Sequence, residues 1–240
     1  MFTEVKPLEA NLLWFYVVVM ISGFILFLIA YRRYPKTQKI EILIASAIVL
    51  WSGTMYALMA VGEGQILVGD HVLFFARYLD WVVTTPLLLV ALAFTAMHYK
   101  KKQITLVLTL VLLDILMIVC GFVADFSSDG TKYSWYGLGC FCLVIIFYLT
   151  WRPLRQHAAE HSSKLKAIYT ILAGYLSALW ICYPLAWLFG PSGFNQLEQS
   201  TDVALFVFLP ILSKVGFSLL DIYLLHRLYE ETHEVPCAVD

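Results

Sequence analysis

The sequence predicts an all-α membrane protein of seven transmembrane helices, and three observations lead there. The 240 residues are 61% hydrophobic and only 14% charged. Mean hydropathy is +0.79, more apolar matter than one soluble core of this length can bury. The apolar residues fall in seven stretches near the ~20 residues that an α-helix needs to cross a bilayer, where strands of a barrel would show short alternating segments.

The spans run over about 10–31, 40–61, 72–97, 103–124, 133–151, 165–189 and 202–226. The first follows Glu4, Lys6 and Glu9 and lacks a basic leader with a small-residue cleavage site, so it reads as a retained helix. Arg32, Arg33, Lys36 and Lys39 separate spans one and two. Lys100, Lys101 and Lys102 separate three and four. Arg152, Arg155, Lys164 and Lys166 separate five and six, and Arg227 ends the seventh. The opposite side carries Glu63, Asp70, Asp125, Asp129, Glu198 and Asp202 against Lys6 and Lys132. The positive-inside rule therefore puts the N-terminus outside and the C-terminus in the cytoplasm. The connections are short and no repeat is visible, so residues 1–240 read as a single seven-helix domain. Nothing points to a nucleic-acid partner; the lipid bilayer is the implied environment, as a multi-pass protein of the cell membrane.

Cys120, Cys140, Cys142, Cys182 and Cys237 are odd in number, and four lie inside helices, so they read as packing residues rather than a disulfide or metal framework. The histidines, His71, His98, His157, His161, His226 and His233, sit at helix ends or in loops without zinc-site company.

Few ionisable residues lie within the spans: Arg77, Asp80, Asp114, Lys214 and Asp221. Each is a functional hypothesis, because a charge at mid-bilayer costs roughly 3 kcal/mol. Lys214 persists if it is paired, if it gives up its proton, or if its amine has become a Schiff base. Arg77, Asp80 and Thr84 follow at i, i+3 and i+7 along one face of the third helix, which offers Lys214 a counterion. A structural ion pair between Arg77 and Asp80 is the alternative.

Three groups of residues resemble the retinal-binding helices of microbial rhodopsins: Arg77, Tyr78, Asp80 and Trp81 with Thr84, Thr85 and Pro86; Trp180, Tyr183, Pro184 and Trp187 in the sixth span; and Ser213, Lys214 and Gly216 in the seventh. The resemblance covers all seven spans, with order, spacing and orientation matched. It implies that all-trans retinal lies inside the bundle, covalently bound to Lys214 as a protonated Schiff base with Asp80 as counterion. Trp81, Thr85, Met117, Gly121, Trp180, Tyr183, Pro184 and Trp187 would form the polyene sleeve, joined by Tyr136 and Gly139. Such an aromatic stripe is otherwise ordinary core packing. Retinal, a long apolar cation, suits aromatic walls with polar groups at one end.

The resemblance also sorts subclasses. Outward pumps of the bacteriorhodopsin type carry a second counterion aspartate where this chain has Pro210, and a carboxylate proton donor where it has Ala91. Asp221 lies seven residues beyond Lys214, two helical turns or roughly 10 Å nearer the cytoplasm. One aspartate counterion, Pro210 and Asp221 together are similar to the xenorhodopsins, a branch holding inward proton pumps and sensory rhodopsins of the Anabaena type. The implied function is a light-driven inward proton pump with Asp221 as cytoplasmic proton acceptor; the alternatives are a sensory rhodopsin signalling to a cytoplasmic transducer, and a chromophore-free seven-helix receptor or subunit. No enzymatic reaction is expected. Members of the branch often have a serine at the position of Ala91, and the second helix here offers no histidine to share a proton with Asp221, so the exit path would use water and hydroxyls such as Ser52 or Ser218. Asp221 could equally be a hydrated carboxylate near a helix end. Asp114 reads as structural, hydrogen-bonded to a neighbouring helix. Asp202 with Glu198 reads as a solvated loop face or as an extracellular carboxyl cluster. Family members are often trimers, and a homo-oligomer is expected.

Overall fold

The structure, a computed structural model, describes residues 6–68, 71–127 and 129–233. Glu4, Asp70, Cys237 and the tail beyond residue 233 lie outside them. Seven helices are long and apolar enough to cross a membrane. In chain order they are Pro7–Arg33; Lys39–Ala60; Phe75–Ala96; Ile104–Phe126; Asp129–Leu149, continued through Arg155–Ala159; Ser163–Phe189; and Gln199–Pro210, continued through Phe217–His233. Neighbours in sequence pack side by side through the first four helices and again for the fourth and fifth, and the seventh closes against the first, second and sixth.

Two helices run beyond their apolar stretches, and each contains a π-turn, Thr150–Leu154 in the fifth and Ile211–Gly216 in the seventh. Prolines accompany both. Pro153 lies in the first π-turn and Pro210 just before the second. Proline has no N–H to give to the carbonyl four residues back. For Pro210 that carbonyl is Phe206, and the buried Tyr56 hydroxyl of the second helix donates to it instead.

The third helix begins at Phe75, later than its apolar run. Residues His71–Leu73 instead pair antiparallel with Ile66–Val68, so a short hairpin caps the extracellular end. Apolar residues cannot by themselves distinguish a strand from a helical extension. Gly64 lets the chain enter this hairpin: its φ is +70°, and a Cβ there would meet the Ala76 Cβ at 2.6 Å.

The cytoplasmic half of the core contains a large apolar cluster, in which Ile48, Leu88, Ala91, Leu92, Leu176 and Phe217 are all buried. Large aliphatic side chains on the outer faces of the helices are exposed, as a lipid-facing surface requires.

Candidate functional site

Lys214 is 1% exposed and sits within the π-turn of the seventh helix. Its ammonium donates to the carboxylate of Asp80, itself 0% exposed, and at 2.8 Å to the Ser52 hydroxyl. Thr84 donates to Asp80 Oδ1 at 3.3 Å while keeping its main bond to the Asp80 carbonyl. Ser52 is also within 2.6 Å of the Tyr16 hydroxyl. A buried ion pair needs such extra partners, because desolvation removes most of what mutual attraction supplies.

Arg77 does not pair with Asp80. Its guanidinium donates to Asp202 at 3.1 Å and lies over the Phe206 ring, 4.1 Å from the centroid. Asp202 is therefore no solvated loop acid: it enters the bundle in the first turn of the seventh helix, while Glu198 stays exposed. Asp125 is likewise buried, accepting from the Tyr78 hydroxyl, which also accepts from the Trp187 indole at 3.0 Å. Glu9 is buried too, and accepts from Ser200 at 2.9 Å.

Away from the ion pair, an apolar cavity opens among the third to sixth helices. Trp81, Thr85, Met117, Gly121, Tyr136, Gly139, Trp180, Tyr183, Pro184 and Trp187 all line it, with Tyr78, Ile118, Cys140 and Leu143 added. Tyr183 and Ser213, the residue before Lys214, share a hydrogen bond of 2.8 Å, so the cavity wall adjoins the lysine. Asp114 accepts from Thr85 at 2.6 Å, joining the fourth helix to the third. A Cβ at Gly139 would lie 3.3 Å from the Met117 carbonyl, so glycine lets the fourth and fifth helices approach. The cavity suits a conjugated apolar chain: its walls are aromatic, and the buried Trp81 indole N–H has no partner among the described residues. The thiols of Cys120, Cys140, Cys142 and Cys182 are free.

On the cytoplasmic side, Asp221 is 2% exposed and accepts from Thr95 at 2.7 Å. One turn beyond Thr95, His98 Nδ1 lies 3.6 Å from Glu41, a buried carboxylate on the second helix whose Oε2 has no partner among the described residues. Both side-chain amide atoms of the buried Gln38 are also unpartnered among them. Glu41 and Thr95 are absent from the sequence reading, which takes His98 only as a helix-end or loop histidine. The signal for Glu41 was present, because it continues the buried stripe of Ala45, Ile48 and Ser52 along the second helix.

A seven-helix bundle with a buried lysine, a carboxylate partner and an aromatic cavity defines a class of light-absorbing membrane proteins. Residues 7–228 match the family model for bacteriorhodopsin-like proteins, and the chain belongs to that family of microbial rhodopsins. It is 29% identical over 230 residues to sensory rhodopsin-2 of Natronomonas pharaonis, covering 96% of this chain and 95% of that protein. The thermophilic rhodopsin of Rubrobacter xylanophilus is similar in structure, with TM-score 0.86 and 32% identity over 90% of this chain and 95% of that one. So is the light-driven proton pump rhodopsin of Coccomyxa subellipsoidea, at TM-score 0.85 and 25% identity, covering 92% and 98%. The chain is a multi-pass protein of the plasma membrane and no enzyme. It acts as a proton pump or a sensory rhodopsin, with retinal held on a lysine as a Schiff base.

Proposed function

We propose that the protein is a light-driven inward proton pump of the xenorhodopsin branch, with Lys214 as the retinal-bearing lysine, Asp80 as its counterion and Asp221 as the first cytoplasmic proton acceptor. Retinal supplies light absorption and the double-bond rotation that changes the direction of the N–H on Lys214. The observation that carries the direction is the placement of acceptors. Asp221 is buried on the cytoplasmic side with Thr95, and His98, one turn beyond Thr95, lies 3.6 Å from Glu41, whereas the outward pumps' donor position is the buried Ala91.

In the dark, Asp80, Thr84 and Ser52 hold the proton at Lys214 Nζ. When the N–H faces inward, Asp221 receives that proton, and the Glu41 and His98 pair offers the next station toward the cytoplasm. Asp80 remains ionised throughout. Lys214 Nζ regains a proton from the extracellular half, where Arg77 and Asp202 line the approach. Trp81, Thr85, Met117, Gly121, Tyr136, Gly139, Trp180, Tyr183, Pro184 and Trp187 confine the polyene and exclude water. Pro210 removes the second counterion that an outward pump would place one turn before the lysine.

Sensory photoreception is the second reading, favoured by the similarity to sensory rhodopsin-2 across nearly the whole chain. The light-induced pH change of an unbuffered suspension of expressing cells supplied with retinal separates the two. Alkalinisation abolished by a protonophore is the inward pump; acidification is an outward pump, and no change with a slow photocycle is the sensor. Lys214→Ala should remove both the visible colour and the signal.

A further inference from the structure

We propose that the groove between the fifth and sixth helices at the cytoplasmic face binds an anionic phospholipid of the surrounding bilayer through its headgroup phosphate. The groove measures about 630 Å³, and its walls include Tyr148, Trp151, Arg152, Arg155 and Lys166. Arg152, Arg155 and Lys166 have no carboxylate partner among the described residues. Glu160, just past the lining, is engaged by Lys100 at 2.7 Å and does not neutralise them.

The depth is that of a headgroup. Twenty helical residues, about 30 Å, span the hydrocarbon. Counted inward from Gly130 on the fifth helix they end near Leu149, and counted back from Phe189 on the sixth they end near Thr170. Arg152, Arg155 and Lys166 therefore lie roughly 4 to 9 Å past the hydrocarbon edge at 1.5 Å per residue. Below them Tyr148 is 63% exposed and Trp151 37% exposed, so an acyl chain meets aromatic rings directly beneath the cations.

The groove is also held open by its own bonds. The Arg155 guanidinium donates to Thr170 across the groove at 3.3 Å, and the Trp151 indole to Ser177 at 3.1 Å. The π-turn Thr150–Leu154 carries Trp151 and Arg152 and offsets them from the regular helical stripe. Two guanidinium groups and an ammonium around one pocket at this depth match a phosphodiester, with arginine providing the paired donors that phosphate oxygens accept.

Native mass spectrometry of the retinal-bound protein in detergent, titrated with phosphatidylglycerol or phosphatidylcholine of equal chain length, tests this. One phosphatidylglycerol should bind on the order of tenfold or more tightly than phosphatidylcholine. The variant R152Q/R155Q/K166Q should lose that preference while keeping its visible colour. The variant R32Q/R33Q, altered at the exposed basic end of the first helix, should keep it. Equal binding of the two lipids would overturn the proposal, as would equal loss in both variants, which would mean a diffuse basic face. Displacement of phosphatidylglycerol by millimolar inorganic phosphate would reassign the pocket to free phosphate, and displacement by a glutamate-rich peptide would reassign it to a protein partner.

Discussion

The guanidinium of Arg77 donates to Asp202 on the seventh helix at 3.1 Å, although Asp80 stands one turn further along Arg77's own helix. The charges around Lys214 thus divide into two pairs, Lys214 with Asp80 and Arg77 with Asp202.

Asp202→Asn should destabilise the protein by about 3 kcal/mol, since it leaves a largely buried guanidinium without a carboxylate. Arg77→Gln should cost a similar amount, and the double variant clearly less than the sum. Equilibrium unfolding in mixed micelles, followed by loss of visible colour, measures all three. Strict additivity would show that the two side chains do not interact.

Tyr56→Phe should cost about 1 to 3 kcal/mol, because the Phe206 carbonyl left bare by Pro210 loses its donor in a dry site. In a Pro210→Ala background an amide N–H returns at residue 210, and the same change should cost less. An undiminished cost there would mean that the tyrosine stabilises by packing, for instance through its stack on Tyr16, 3.7 Å between ring centroids.

Thr95→Val removes the donor that favours the ionised form of Asp221 while leaving the carboxyl itself in place. It should slow deprotonation of Lys214 Nζ in flash photolysis by roughly the factor of ten that one hydrogen bond represents, whereas Asp221→Asn should abolish inward transport. Transport unchanged in Asp221→Asn would move the acceptor role to Glu41 and His98.

Lys100 holds the exposed Glu160 carboxyl below its ordinary value of 4.5. A depressed acid stabilises the fold above its unfolded pKa, and that contribution fades as pH falls through the folded value. Lys100→Ala should return the Glu160 titration toward 4.5 and remove this acid-side dependence below about pH 4.5. Isotope-edited infrared titration of the carboxyl reads it directly.

The seven spans were legible because bilayer thickness fixes helix length. The sleeve residues were legible only through the resemblance to microbial rhodopsins, since an aromatic stripe at helical spacing is otherwise ordinary core packing, and all ten line one cavity. Of the two readings open for Asp202, the solvated loop face fails: acidic residues next to a chain reversal are usually solvated, but here the helix starts at Gln199 and carries this one inside. Glu41 was missed, and His98 was read only as a helix-end or loop histidine, since one is on the second helix and the other in the turn after the third, and only tertiary packing brings them together. The π-turns escaped for another reason: a change from i−4 to i−5 hydrogen bonding alters no residue type, and the accompanying prolines are equally compatible with simple kinks.

Because Lys214 lies inside the π-turn Ile211–Gly216 and Asp221 beyond it, the wider turn sets the angle between them. Excising one residue between Lys214 and Asp221 would swing everything downstream by about 100°, carrying Asp221 into the place of Leu220 and Ile222 into its own. Length in this segment is therefore guarded more tightly than identity: the helix should accept many single substitutions around the lysine and no single deletion.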